Sequence, residues 1–351
     1  MSSSQLLPFA SDYMEGAHPA ILKRLTETNR TPMPGYGTDA ISEAARAKIR
    51  AACQCPEADV YFLVGGTQTN ATVIDALLAS YQGVVAADTG HISLHEAGAI
   101  EFGGHKVLTL PHTDGKLRPE DVDAYLTAFA ADGNRDHMVM PGMVYISHPT
   151  EYGTLYTAEE LRRLHAICQA HKVPLYLDGA RLAYALACPE NDVSLPLIAA
   201  CCDAFYIGGT KCGTLFGEAV VFPQKNRAPH FFTIMKQHGA LLAKGWLLGL
   251  QFDTLFTDGL YEQLGKPAIE AADTIRKALQ EYGYRLFFQT PTNQIFVIMA
   301  NEQLEHLAKK VSYSFWEPYD DAHTVIRLAT SWATTDDEVH ELTRIIKELA
   351  Q

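Results

Sequence analysis

Leu175-Tyr176-Leu177-Asp178-Gly179-Ala180-Arg181 and Phe205-Tyr206-Ile207-Gly208-Gly209-Thr210-Lys211-Cys212-Gly213 together decide the fold. Each is a short apolar run closed by glycine, the pattern of a buried strand that ends in a turn. The first delivers a carboxylate at its end; the second, 33 positions further on, delivers a lysine wrapped in glycines. Taken singly, Asp178 reads as an N-cap for the turn after it and Lys211 as a solvated loop lysine. Taken together they predict a pyridoxal phosphate site. The lysine amine forms a Schiff base with the cofactor aldehyde, and the carboxylate keeps the pyridine nitrogen protonated.

Working outward, short apolar runs alternate with helical patterns from about Val60 to Phe222. Strands are expected at Val60–Val64, Gly83–Ala87, Lys106–Leu110, Met143–Ser147, Pro174–Leu177 and Ala204–Ile207, with Glu218–Phe222 antiparallel at the side. Helices are expected over Thr67–Ser80, over Ser93–Phe102, and from the capping box Thr157-Ala158-Glu159-Glu160 to about His171. That alternation predicts an α/β fold with a mostly parallel sheet between helices. Leu241–Phe256 reads as a joining helix. After Asp258 the order becomes helix (Ala268–Tyr282), strand (Asn293–Met299), helix (Glu302–Lys310), strand (Thr324–Leu328) and a last helix from the capping box at Thr335. Residues 1–257, including an N-terminal arm over about 1–35, are therefore expected to form a large cofactor-binding domain. Residues 258–351 are expected to form a small C-terminal α+β domain.

At 351 residues, 47% apolar and 20% charged, the chain can bury a large core. A net charge of −13 argues against nucleic acid or an anionic membrane as partner. No apolar run approaches a membrane span, and Met1–Pro8 lacks the basic and apolar regions of a secretion signal. Seven cysteines, an odd number, fit reduced thiols in a cytoplasm. Cys53 with Cys55, Cys201 with Cys202, and His165 with His171 lack metal-ligand spacing, so no metal is expected.

Ligands in open α/β sheets bind beyond the carboxyl ends of the strands. Gly65-Gly66-Thr67-Gln68-Thr69-Asn70 lies at such an end, where glycines and the free N–H groups of a first helical turn suit a phosphate. It is neither a dinucleotide fingerprint nor a Walker A loop. Arg181 and Arg327 are candidate clamps for a substrate carboxylate, since a guanidinium grips it at two points. His91 follows a strand and could lay its ring on the cofactor.

These segments resemble the L-threonine aldolase family of pyridoxal phosphate enzymes, which shares the aspartate-aminotransferase fold (fold type I) and belongs to the wider β-eliminating lyase group. The resemblance runs through Phe9-Ala10-Ser11-Asp12, Gly35-Tyr36-Gly37-Thr38-Asp39, Gly66–Asn70, His91 with Glu96-Ala97-Gly98, Asp178–Arg181, Gly209–Lys211 with Gly217-Glu218-Ala219, and Arg327. It implies Lys211 as the cofactor lysine, Asp178 on the pyridine nitrogen and His91 on the ring. Gly66, Thr67, Gln68 and Thr210 would lie at the phosphate, and Ser11, Arg181 and Arg327 at the substrate carboxylate. Tyr36 would line the pocket, and Lys244 would reach the phosphate of a neighbouring subunit in a homodimer or homotetramer.

Where many family members carry Thr-His-Asn before a glycine, this chain reads Ser147-His148-Pro149-Thr150-Glu151-Tyr152-Gly153. Glu151, His148 or a water is then the acceptor of a substrate hydroxyl proton. The implied reaction is retro-aldol cleavage of L-threonine, L-allo-threonine or related β-hydroxy-α-amino acids to glycine and an aldehyde. Alternatives on the same scaffold are β-elimination, racemisation and transamination; a cofactor-free binding protein is a further one.

Overall fold

A computed structural model describes residues 6–350. The first five residues of the expected N-terminal arm lie outside the described part. The strands up to residue 222 are β1 (Leu7–Pro8), β2 (Asp59–Leu63), β3 (Gln82–Ala87), β4 (Val107–Leu110), β5 (Met140–Ser147), β6 (Leu175–Asp178), β7 (Ala204–Gly208) and β8 (Glu218–Phe222). Seven of them form one sheet in the order β2-β8-β7-β6-β5-β3-β4. Pairing is parallel from β4 through β3, β5 and β6 to β7, whereas β8 is antiparallel to both β7 and β2. The antiparallel direction of β8 is as expected, but its position is internal rather than at the side. The loop from Gly209 to Gly217 is too short for the crossover a parallel return needs, so β8 turns straight back along β7. The edge is left to β2.

Side chains alternate across this sheet, and both faces are apolar, as a helix-covered sheet requires. Val60, Phe62, Val144, Ile146, Leu177, Phe205 and Ile207 face one core. Met143, Tyr145, Tyr176, Tyr206 and Val220 face the other. β5 begins three residues before Met143, running through Pro141 and Gly142. A register shift on β3 between Gly83 and Val84 absorbs the proline, which breaks the sequence pattern but not the ladder.

The helix expected over Ser93–Phe102 is two short pieces, His91–Leu94 and Ala99–Phe102. Ala97 (φ 52°) and Gly98 (φ 73°) sit between them in the left-handed region, which no continuous helix tolerates. The joining helix is shorter than its apolar pattern, Trp246–Leu255. A Cβ on Gly245 would lie 2.6 Å from the Gly37 nitrogen, so this stretch enters as a loop pressed against another backbone.

Beyond it, a helix runs over Leu260–Glu281, beginning eight residues ahead of its expected start and containing Pro267. Its buried stripe (Tyr261, Leu264, Ala268, Ile269, Ala272, Ile275, Leu279) outweighs the roughly 3 kcal/mol that an internal proline costs. The remaining strands are β9 (Arg285–Leu286), β10 (Gln294–Ala300), β11 (Val311–Ser312), β12 (Ser314–Pro318) and β13 (His323–Ala329). They include a four-stranded antiparallel sheet, β12-β13-β10-β9. The last helix, Asp336–Leu349, opens on the expected capping box at Thr335, and Ala158–His171 opens on the one at Thr157.

Leu7–Phe9 pairs with this C-terminal layer. β1 runs parallel to β11, and the Phe9 carbonyl accepts from the Ala329 N–H at 2.9 Å. Phe9 is buried among Ile295, Val311, Ile326 and Leu328. Truncating it to Ala is expected to lower unfolding free energy by about 3–5 kcal/mol in a urea titration. A loss below about 1 kcal/mol would mean that the arm is not anchored there.

Candidate active site

Asp178 ends β6 with its carboxylate inside the protein, 4% exposed. Four donors meet it. Asn70 Nδ2 (3.0 Å) and Tyr145 Oη (2.7 Å) donate to Oδ2. Tyr206 Oη (2.5 Å) and the Ala180 N–H (3.0 Å) donate to Oδ1. Burial pushes its pKa up; the nearby His91 and the donors of Tyr206, Tyr145 and Asn70 outweigh that and hold it below the usual carboxylate range. The group is therefore an anion at neutral pH, and a pyridinium N–H is an ion-pair partner for it.

The tyrosines come from the strand register. Tyr145 lies opposite Tyr176 across β5 and β6, and Tyr206 is on the same face of β7. Tyr176 Oη donates to Asn70 Oδ1 at 2.8 Å, leaving the Asn70 amide free to bridge Asp178 and Glu96. Glu96 Oε1 then meets His91 Nδ1 at 2.7 Å, fixing that ring over the cavity. Among these, Asn70, Tyr145, Tyr206 and Glu96 had no role assigned from sequence. Three tyrosines in three successive apolar strands were the available signal, because a buried phenol needs a partner.

Lys211 follows β7 in a loop closed on itself. The N–H groups of Gly209 and Thr210 donate to the Gly217 carbonyl (3.0 and 3.1 Å), Gly217 N–H to Thr210 Oγ1 (3.0 Å), and Tyr184 Oη to the Lys211 carbonyl (2.6 Å). A Cβ on Gly208 would sit 2.3 Å from the Ala180 carbonyl oxygen, so the two glycine-lined turns after β6 and β7 pack backbone to backbone. Burial first, then the Arg181 guanidinium, lower the lysine pKa, which favours the neutral amine.

Lys211 and Asp178 share a cavity of about 340 Å³ with Gly66, Thr67, Thr210 and Glu218. The helix Gly66–Leu77 starts there, N-capped by Gly65 with no side-chain hydrogen bond, so its first N–H groups are open to an anion. The Gln68 side chain turns away, donating to the His238 carbonyl and accepting from Val64 N–H, which leaves only its backbone N–H in that first turn.

A second cavity of about 460 Å³ adjoins the first, sharing Tyr13, His91, His95, Glu151, Arg181 and Lys211. Arg327 and Trp316 line its far side. Among the described residues the Arg327 guanidinium hydrogen-bonds only to neutral oxygens, of Gln294 (3.2 Å), Ala10 (3.2 Å) and Ser314 (3.3 Å), its buried Nε has no partner, and no carboxylate is in ion-pair contact with it. Arg181 is occupied: Nε and Nη2 grip Asp12 at 2.6 and 3.1 Å, and Asn293 Nδ2 adds a third donor to Asp12. Ser11 is buried beside that pair and lines neither cavity.

Glu151 and His148 separate clearly. Glu151 lines both cavities, and its Oε1 accepts from Ser147 Oγ (2.6 Å) and the His91 N–H (2.9 Å). Burial raises its pKa, the Ser147 and backbone bonds oppose, and the Asp178 charge adds to the rise. His148 lies in neither cavity. Its Nδ1 accepts from the Tyr156 N–H and its Nε2 meets Asn191 Oδ1, with burial pushing the ring down to about 4. Tyr36 and Lys244 also stay out of these two cavities; Tyr36 lines a separate one beside Arg46 and Leu242. Tyr36 is 43% exposed with the Lys236 ammonium over its ring, and Lys244 is exposed in the neighbouring loop.

A parallel sheet carrying a buried aspartate, a desolvated lysine on the next strand's exit loop and an open helix N-terminus defines a pyridoxal phosphate enzyme of the aminotransferase fold. The lining suits that cofactor: Asp178 would meet the pyridine nitrogen, Lys211 the aldehyde, and the Gly66 turn with Thr210 the phosphate. Aspartate aminotransferase of Thermus thermophilus superposes with a TM-score of 0.71 over 99% of this chain and 92% of its own, at 15% identity, a likeness of fold. Threonine aldolase of Leishmania major matches at 42% identity with a TM-score of 0.95, covering 98% of this chain and 99% of its own. A low specificity L-threonine aldolase of a Pseudomonas strain is 29% identical over 351 residues, 98% of each chain. The profile of the β-eliminating lyases matches residues 9–312, and the chain belongs to that family.

Asp12 links site and stability. Burial would raise its carboxyl, but Arg181 first, then Lys211 and Asn293, hold it well below the usual range. A depressed folded pKa contributes stability that is present above the unfolded value of about 3.9 and lost as pH falls through the folded one. Asp12→Asn is expected to cost about 3–5 kcal/mol at pH 7. In denaturant titrations the gap to wild type should shrink in acid; a gap that does not depend on pH would contradict the pairing.

Proposed function

We propose that this enzyme is a carbon–carbon lyase that cleaves L-threonine, L-allo-threonine and related β-hydroxy-α-amino acids to glycine and an aldehyde. The observation that carries the reading is Glu151, a buried carboxylate aimed into the cavity that also holds Lys211 and Arg327. The Leishmania and Pseudomonas relatives, named as threonine aldolases, support the same activity.

Bound pyridoxal phosphate supplies the electron sink for the carbon left negative when the Cα–Cβ bond breaks. The chain supplies the rest. Arg327, unpaired, receives the substrate carboxylate, and Arg181, held rigid by Asp12, walls the same side. Asp178 keeps its negative charge against the pyridine nitrogen. Glu151 Oε1 accepts the β-hydroxyl proton, oriented by Ser147 and the His91 N–H. His91 lies between Glu96 and the cavity, where its ring would cover one face of a bound cofactor.

Tyr36 and Lys244 complete the site of a second copy in a homodimer or homotetramer, supported by their exposure beside one another and away from the cavities that hold Lys211. We read residues 258–350 as the smaller domain, with Leu7–Phe9 of the N-terminal arm crossing to it. The enzyme works in the cytoplasm, a reading supported by seven free cysteines. Among the described residues no helix is long and apolar enough to cross a membrane.

Lys211→Ala is expected to abolish the visible absorbance of lysine-bound cofactor; a retained band would sink the assignment. Glu151→Gln is expected to lower kcat by about 10²–10⁴, with His148→Gln changing it less than about threefold. Because Glu151 must be ionised to accept a proton, the acid limb of the kcat profile should lie above the ordinary glutamate value of about 4.3. A larger loss in the His148 variant would argue for His148, and small losses in both for a water.

A further inference from the structure

His91 and His95 stand four positions apart in His91-Ile92-Ser93-Leu94-His95, the spacing that sets two side chains on one face of a helical turn. His95 closes the short helix His91–Leu94, its N–H donating to the His91 carbonyl at 2.9 Å. The left-handed residues Ala97 and Gly98 stop the helix just beyond it. No step above uses His95, yet it lines both cavities. Trp316 reaches the larger cavity from the small sheet. Across β12 and β13, Phe315 pairs with Ile326 and Glu317 with Val325, so Trp316 is the extra residue of a bulge, a device that re-aims a side chain.

These residues enclose one end of the cavity. Ring centroids lie 5.7 Å apart for His91 and His95, 6.3 Å for His95 and Trp316, and 5.7 Å for Trp316 and Tyr152. Tyr152 follows Glu151 in the chain, and Glu151 Oε1 returns to His91 by accepting from its N–H at 2.9 Å. The Arg327 guanidinium stands 6.0 Å from the centre of the Trp316 ring.

The proposed reaction fixes three groups of the substrate: the amine end at Lys211, the carboxylate at Arg327 and the β-hydroxyl at Glu151. The two substituents left on Cβ, a hydrogen and the methyl group of threonine, then have two positions between them. Inverting Cβ exchanges the two and moves nothing else. We propose that His95 reads the configuration at Cβ: its ring, backed by Trp316, is the wall that the methyl group of one diastereomer meets and that the hydrogen of the other does not. Burial first, then His91 and the cations of Arg327, Arg181 and Lys211, push the His95 pKa down, which favours the neutral ring. A neutral ring offers a methyl group van der Waals contact with no ion to desolvate.

This inference rests on the aldolase reading and on Glu151 as the proton acceptor, and the test separates it from both. The cofactor-loaded enzyme is given L-threonine and L-allo-threonine in turn, and kcat/KM is measured for each. Both yield glycine and acetaldehyde, so their ratio cancels every contribution not sensed at Cβ. One small apolar group gained or lost at a packed wall changes kcat/KM by about 10–200-fold. His95→Ala should therefore shift the ratio by at least about tenfold, and Trp316→Ala should shift it in the same direction. His95→Phe, which keeps a flat ring, should hold the ratio within about threefold of wild type. His95→Asn takes the place of His95→Ala should that variant not fold. A ratio in His95→Ala within about threefold of wild type overturns the proposal. So does a shift as large in His95→Phe as in His95→Ala. A wild-type enzyme that releases aldehyde from neither diastereomer would instead overturn the aldolase reading.

Discussion

Everything in the site is arranged around keeping one carboxylate charged in a place that water does not reach. Asp178 would be costly to bury alone. The protein offsets that cost with four hydrogen bonds from four segments: the helix after β2, the strands β5 and β7, and the turn after β6 itself. Each donor is in turn held. Tyr176 orients Asn70, and Asn70 reaches on to Glu96, which orients His91. Ser147 lies 3.2 Å from Tyr145 Oη and donates to Glu151, whose other contact is the His91 backbone. The network therefore closes on itself. Substituting any member alters the polarity around the rest, as expected of coupled buried polar groups.

The antiparallel strand β8 is the second organising constraint. It sits between the Gly66 turn after β2 and the lysine loop after β7, which are two strand spacings, about 10 Å, apart, and it places Glu218 between them. Phosphate and aldehyde ends of one small molecule can then be reached from two strand exits that are not neighbours. A wholly parallel sheet would have put a long crossover in that position.

Much of this was legible in the chain because it depends on local pattern. Asp178 and Lys211 stand at the ends of short apolar runs closed by glycine, and the capping boxes at Thr157 and Thr335 mark helices that begin as expected. What escaped depends on tertiary context. Pro267 reads as a helix breaker, yet a long buried stripe carries the helix through it. Glu151 and His148 are equivalent candidates three residues apart, and only burial direction separates them. Arg181 reads as a free clamp until Asp12, 169 positions away, is seen to occupy it. Tyr36, expected to line the pocket, and Lys244, expected to reach a neighbouring subunit, both lie on the surface of a single chain.

The Asp12 clamp also sets an order of assembly. It joins three parts of the chain: the N-terminal arm that carries Asp12, Arg181 in the middle, and Asn293 further on. During synthesis the arm leaves the ribosome first, but the residues that seat it, Val311, Ser312 and Ala329, emerge last. Until then Arg181 has no rigid counter-charge beside Lys211. Contacts so distant in sequence form late and slowly. A nascent chain can thus build its central sheet long before it owns a working pocket, and catalytic competence arrives with the final few dozen residues.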